Sequence, residues 1–202
     1  MARRKKKRQH RSWSPRRRVN VRELRQRFLI VCEGEKTEPN YFNGFRVPKA
    51  VVKVVGTGEN TIWVVEKAIK RMAEDDYDQV WCVFDRDIFP EENFNAALRL
   101  AEQHDIKVAY SNEAFELWYV LHFNYHQSKT ARHLYIEKLN DLLGVAYEKN
   151  LPDMYERLEN RQETAIRNAE KLLGNYDPPD PARDNPSTTV HLLVQELNRF
   201  AV

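Results

Sequence analysis

The sequence predicts an α/β fold. Its sheet has four parallel strands in the order 2-1-3-4, is flanked by helices and is followed by a helical C-terminal extension. Short apolar, β-branched runs alternate with segments of helical spacing over residues 28–111, which is the pattern of a parallel sheet with crossover helices. The first run is apolar without alternation, as in a strand that is covered on both faces. Beyond residue 111 the segments have helical spacing only.

Four runs supply the predicted strands: residues 28–33, 50–56, 79–85 and 106–111. A first helix is expected after Thr37, with Thr37 as its cap and Pro39 in its first turn. Further helices between the strands are predicted over residues 61–74 and 91–104, where apolar residues recur at helical spacing.

Helices are also predicted in the C-terminal part of the chain, over residues 112–123, 131–143, 161–173 and 188–200. The Pro- and Asp-rich segment 174–189 is predicted to be a surface loop. The predicted organisation is a basic tail (1–27), an α/β core (28–112) and a helical part packed on that core (113–202).

The charge is divided unevenly along the chain. Residues 1–27 carry 13 Lys and Arg and one Glu, whereas the rest carries 20 Lys and Arg and 29 Asp and Glu. We expect this basic tail to be disordered when free, because it has little apolar surface to bury, and to bind nucleic acid through phosphate contacts. A solubilising leader is the alternative. The phosphate-binding candidates are Arg3, Arg4, Lys5, Lys6, Lys7, Arg8, Arg11, Arg16, Arg17 and Arg18.

Composition argues against several classes of protein. No apolar run is long enough for a membrane span, and the charged N-terminus is unlike a secretory signal. Cys32 and Cys82 lie inside apolar runs, which favours reduced, buried thiols over a disulfide framework. We therefore expect a cytoplasmic protein without a membrane partner.

Acidic residues follow two of the predicted strands. Glu33 ends the first, and Asp85 and Asp87 lie at the end of the third. In the order 2-1-3-4 these strands are neighbours, so all three carboxylates would meet at the carboxyl edge where α/β sheets bind ligands. Clustered carboxylates repel one another unless a cation lies among them, and oxygen ligands suit Mg²⁺ or Mn²⁺. A solvated rim is the alternative interpretation.

These motifs resemble the Toprim signature, which has a Glu-Gly after the first strand and an Asp-x-Asp after the third. More closely, LIVCEGEKTEPNYF, VFDRD, SNEAFELWYVLHF and NPSTTVHLLVQEL together resemble the RloB-like family, over roughly residues 28–200. The resemblance implies a Toprim-like core, a Mg²⁺- or Mn²⁺-dependent nuclease of bacterial phage defence, and an ATPase partner.

The resemblance also implies roles for particular residues. Glu33 would be the Toprim glutamate, as general acid/base or as metal ligand. Lys36 lies near enough to neutralise a phosphate, and Glu116 could complete the site from the helix after the fourth strand. The implied metal ligands are Glu33, Glu38, Asp85, Asp87 and Glu116.

Two other functions remain open from the sequence. The same metal site could form phosphodiester bonds, as primase-type Toprim domains do. Alternatively the protein could be a non-catalytic module whose tail binds nucleic acid or ribosomes. His122 and His126 are four residues apart, but without a Glu-x-x-His pattern we interpret them as core or surface residues and not as zinc ligands.

Overall fold

The sheet has five strands in the order β2-β1-β3-β4-β5. The structure, a computed structural model, describes residues 25–47, 50–58, 60–87 and 90–201. The strands are β1 (Gln26–Cys32), β2 (Ala50–Gly56), β3 (Gln79–Asp85), β4 (Lys107–Asn112) and β5 (Ser187–Thr188).

The helices within the described residues begin with α1 (Thr37–Asn43), α2 (Thr61–Met72) and α3 (Glu91–Gln103), which follow the first three strands. The C-terminal part is helical apart from β5. Its helices are α4 (Glu116–Leu121), α5 (Arg132–Leu143), α6 (Met154–Leu158), α7 (Gln162–Leu173) and α8 (Val190–Asn198), with a 3₁₀ turn at Glu159–Arg161.

The predicted strand order is confirmed for the first four strands. β1 pairs in parallel with β2 on one side and with β3 on the other, and β3 pairs in parallel with β4. The helix of the first crossover, α1, packs on one face of the sheet, and the helices of the next two, α2 and α3, pack on the other. The carboxyl ends of β1 and β3 therefore lie side by side at the point where the strand order reverses.

The prediction of a four-stranded, wholly parallel sheet was wrong. β5 lies inside the segment that was predicted to be a loop, and it pairs antiparallel with β4 through Ser111 and Thr188. The two hydroxyls lie 2.9 Å apart, and Thr188 Oγ1 also donates to the Tyr110 carbonyl. Two residues joined through hydroxyl groups give no apolar periodicity, so the sequence pattern did not indicate this strand.

Two apolar layers cover the sheet. Phe28, Ile30 and Cys32 point into a core that α1 and the C-terminal helices complete, whereas Leu29 and Val31 point into a second core with α2 and α3. Side chains alternate between the faces of a strand, so burial on both faces explains the continuous apolar run of β1.

Some predicted boundaries shift. β1 begins at Gln26 and so includes the last two residues assigned to the basic tail; Arg27 Nη1 donates to Asp75 over 2.8 Å. Residues 1–24 lie outside the described residues, so the disorder and the nucleic-acid contacts predicted for the basic tail stay predictions. Both cysteines are buried and free, as predicted. None of the helices in the described ranges combines the length and hydropathy that a membrane crossing requires.

Candidate active site

A cavity of about 570 Å³ opens at the carboxyl ends of β1 and β3. Acidic and basic side chains line it, and they include Lys36 and all five predicted metal ligands. The lining residues are Glu33, Gly34, Glu35, Lys36, Thr37, Glu38, Gly58, Asn60, Asp85, Asp87, Phe115, Glu116, Arg132 and Lys149. We refer to this cavity as the acidic cleft.

Glu33 and Asp85 form the floor of the acidic cleft. Asp85 is the last residue of β3, and Glu33 directly follows β1. Because the strands are adjacent and parallel, with Cys32 opposite Val83, their ends meet. The backbone N–H of Asp85 donates to Oε2 of Glu33 over 2.8 Å. The predicted meeting of these two carboxylates is thus observed.

Glu38 enters the acidic cleft from the first turn of α1 and is 5% exposed. Its carboxylate lies against Gly34, and a Cβ at residue 34 would overlap it. Gly34 lies in the bend between β1 and α1, without the positive φ of Gly58 and Gly144. Its missing side chain leaves room for the Glu38 carboxylate.

Glu116 reaches the cleft from the start of α4 and is 2% exposed. The hydroxyl of Tyr147 donates to its Oε1 over 3.2 Å, and Lys149 Nζ lies 3.6 Å from the same atom. The α5–α6 connection that carries these two residues also accepts a hydrogen bond from Thr37, whose Oγ1 donates to the Lys149 carbonyl over 2.6 Å. Thr37 is therefore held by this connection and does not cap α1.

Asp87 and Lys36 line the acidic cleft without belonging to its buried floor. Asp87 lies two residues beyond β3 and is half-buried. Its charge contributes to raising the pKa of Glu33, which places it near that carboxylate. Lys36 is exposed at the start of α1, where a ligand entering the cleft could reach its ammonium group.

Two basic residues of the site were not foreseen. Arg132, the first residue of α5, donates through Nη2 to Oδ2 of Asp85 over 2.7 Å. Lys149 is the ion-pair partner of Glu116. Both lie in the helical C-terminal part, far in sequence from their partners. No motif surrounds them, so only the packing of this part against the sheet edge could reveal them.

Burial controls the ionisation of the cleft carboxylates. It raises the pKa of Glu33 to about 7, an effect that the Asp85 N–H partly opposes. Burial likewise raises the pKa of Glu38, with a contribution from the charge of Glu116. For Asp85 the pKa rises well above its usual range, since burial and the Glu38 charge outweigh the attraction of Arg132. Negative charge is thus poorly solvated here.

A family model described as "RloB-like protein" matches residues 28–197. The chain belongs to the RloB-like family. The match spans β1 to nearly the end of α8, so all the elements that line the acidic cleft lie within the RloB-like region. Searches of curated proteins and of solved structures found no match.

His122 and His126, two of the five histidines in the RloB-like region, are not among the residues that line the acidic cleft. His122 is buried, and its Nδ1 lies 2.8 Å from the Trp118 carbonyl. His126 Nε2 lies 2.8 Å from Oγ1 of Thr130. The interpretation of His122 as a core residue is confirmed.

Proposed function

We propose that the protein is a Mg²⁺- or Mn²⁺-dependent nuclease with a Toprim-like core, which hydrolyses phosphodiester bonds in bacterial phage defence together with an ATPase partner. The observation that carries the proposal is the contact between Glu33 and Asp85 at the ends of adjacent parallel strands. It supports a site in which ligands from two strand ends serve one cation. The defence role and the ATPase partner rest on family resemblance.

The chemistry of the donor set fits a hard divalent cation. The proposed ligands are all carboxylates, and Mg²⁺ and Mn²⁺ prefer oxygen. Glu33, Glu38 and Asp85 have raised pKa values because burial leaves their charge poorly solvated. A cation among them would replace the missing solvation. When bound, it would polarise the phosphoryl group and stabilise the charge of the transition state.

Side-chain rotation would have to accompany metal binding. As the side chains stand, no three acidic, His or Cys residues of the described ranges converge to hold a metal ion. Asp85 faces Arg132, and Glu116 faces Lys149 and Tyr147. The carboxylate groups can rotate about their side-chain bonds while the strand ends and helix starts that carry them stay in place.

Glu33 is suited to move a proton in this reaction. A group with a pKa near the working pH is both ionised often enough to accept a proton and basic enough to hold it, and the pKa of Glu33 is raised to about 7. In the proposed mechanism Glu33 accepts a proton from the attacking water. Lys36, at the cleft mouth, neutralises the phosphate, and the basic tail brings nucleic acid to an otherwise acidic protein.

Cleavage of a mixed DNA and RNA panel tests the proposal, with Mg²⁺, Mn²⁺ or EDTA and with or without the ATPase partner. We expect metal-dependent cleavage that Asp85→Asn abolishes. Glu35→Gln is the matched control, because Glu35 lies in the same loop but is exposed at the rim. Nucleotide incorporation would instead support the primase-like function. Binding without turnover under every condition would support the non-catalytic module.

A further inference from the structure

Arg132 is poorly explained by a purely structural role. Its Nη2 donates to Asp85 Oδ2 over 2.7 Å and to the Glu113 carbonyl over 3.3 Å. Both contacts use the same nitrogen. A guanidinium has five N–H donors. Those on Nε and Nη1 of Arg132 have no hydrogen-bond partner within the described part of the chain. The side chain is 40% exposed on the cleft wall.

The partner of Arg132 is one of the carboxylates that the proposed function assigns to metal. A divalent cation bound to Asp85 would compete directly with the guanidinium for that carboxylate. Arg132 would then lose its strongest contact while remaining on the wall of the same cleft. A freed guanidinium matches the geometry of a phosphate, to which it can donate two parallel hydrogen bonds.

We infer that Arg132 is the phosphate-binding residue of the acidic cleft. It pairs with Asp85 in the metal-free protein and would bind phosphate when a cation replaces it at the Asp85 carboxylate. The inference deepens the proposed function and rests on it, because it takes a nucleic-acid phosphate as the ligand. A cation held by Asp85 would leave the guanidinium available to a substrate phosphate.

A double-mutant cycle without metal tests the inference. The four proteins are the wild type, Asp85→Asn, Arg132→Gln and the double variant. The probe is a nucleoside 3′,5′-bisphosphate, titrated by calorimetry at pH 8 in EDTA. Asp85→Asn should bind it about tenfold more tightly than the wild type, as expected for one charge-assisted hydrogen bond, because the substitution frees Arg132. That gain should vanish when Arg132→Gln is also present.

The cycle separates the release of Arg132 from a general loss of negative charge. If removing the Asp85 charge alone favoured the anion, the gain would be equal in both backgrounds, and the inference would be overturned. Absence of any gain in Asp85→Asn would overturn it too. Arg157→Gln is the matched control: Arg157 pairs with Asp153 over 2.7 Å outside the cleft, so probe binding should not change.

The melting temperature of each variant shows whether it has a folding defect. Arg132→Lys is a second control: it keeps the charge and should retain part of the affinity for the bisphosphate probe that Arg132→Gln loses. The test also distinguishes this inference from the proposed function. Metal-dependent cleavage together with an additive cycle would overturn only the inference. A non-additive cycle with no cleavage under any condition would support Arg132 as a phosphate ligand and overturn the nuclease.

Discussion

The backbone N–H of Asp85 donates a 2.8 Å hydrogen bond to the carboxylate of Glu33. This bond joins the ends of two neighbouring parallel strands, so both carboxylates are positioned by the sheet and not by a flexible loop. It also holds one oxygen of Glu33 toward the backbone and leaves the other for a ligand. A site built on strand ends keeps its geometry better than one built on loops.

Asp85→Asn should remove metal binding while leaving the fold intact. The substitution keeps the size of the side chain and deletes one of several mutually repelling charges, although it also weakens the contact with Arg132. We expect the melting temperature without metal to stay within a few degrees, on the order of 1 kcal/mol, and the increase caused by Mn²⁺ to disappear. An unchanged Mn²⁺-dependent increase would show that the acidic cleft is not the metal site.

Deletion of residues 2–20 should weaken binding of nucleic acid and reduce its dependence on salt. These residues carry the ten basic candidates of the tail, and each phosphate contact that is lost lowers the slope of log K against log salt by about 0.9 for duplex DNA. Binding is measured by fluorescence anisotropy over a range of salt concentrations. An equal slope in the truncated protein would assign nucleic-acid binding to the folded part alone.

The strand order and the meeting of Glu33 with Asp85 could be predicted because they depend on local patterns. Apolar runs mark buried strands, and a carboxylate at each strand end then follows from the topology. Local patterns did not place Glu116 in the cleft. Its position was implied only by resemblance to a family, since nothing in its own segment indicates that this acidic side chain is 2% exposed.

The features that sequence missed depend on long-range contacts. β5 is two residues long and pairs with β4 mainly through hydroxyl and backbone groups. Arg132 and Lys149 reach their partners Asp85 and Glu116 only when the helical part packs against the sheet edge. Gly34 lies in a bend, but the room that it leaves for Glu38 could not be predicted, because the contact involves a side chain four residues away in the next helix.

Gly34→Ala should disturb the acidic cleft by displacing Glu38. The added methyl group would overlap the Glu38 carboxylate, which lies at the end of a flexible side chain and would have to turn away. We expect little change in melting temperature and a metal affinity reduced at least severalfold, measured by calorimetry. Gly174→Ala is the control, since its Cβ would meet atoms no closer than 3.5 Å. Equal metal affinity in both variants would mean that Glu38 does not bind the metal.

Glu33→Gln should separate the two roles open to Glu33. The amide can neither accept a proton from water nor bind a cation as a carboxylate does. If Glu33 mainly transfers protons, cleavage should be lost while Mn²⁺ affinity falls only slightly; if it is a ligand, both should fall together. Wild-type cleavage should rise with pH as Glu33 loses its proton, and a bound cation should move this rise below about pH 7, the pKa of Glu33 in the metal-free protein. A Glu33→Gln variant that keeps this pH profile would exclude Glu33 from both roles.

The same substitution should change how stability depends on pH. The pKa of Glu33 is raised from 4.5 to about 7 in the folded protein, chiefly by burial. Between these values the folded state keeps a proton that the unfolded state has lost, so the wild type loses stability as pH rises. The burial of Glu33 contributes nothing below about pH 4 and costs up to about 3 kcal/mol above pH 7.

Glu33→Gln has no such titration. The difference in free energy of unfolding between variant and wild type should therefore move in favour of the variant from pH 5 to pH 8. Urea denaturation of both proteins at these two pH values measures it, and Glu35→Gln, a substitution at the exposed rim of the same cleft, is the control for the loss of a carboxylate. A difference that stays constant between pH 5 and pH 8 would mean that Glu33 is ionised throughout, and a proton-accepting role poised near neutral pH would then be ruled out.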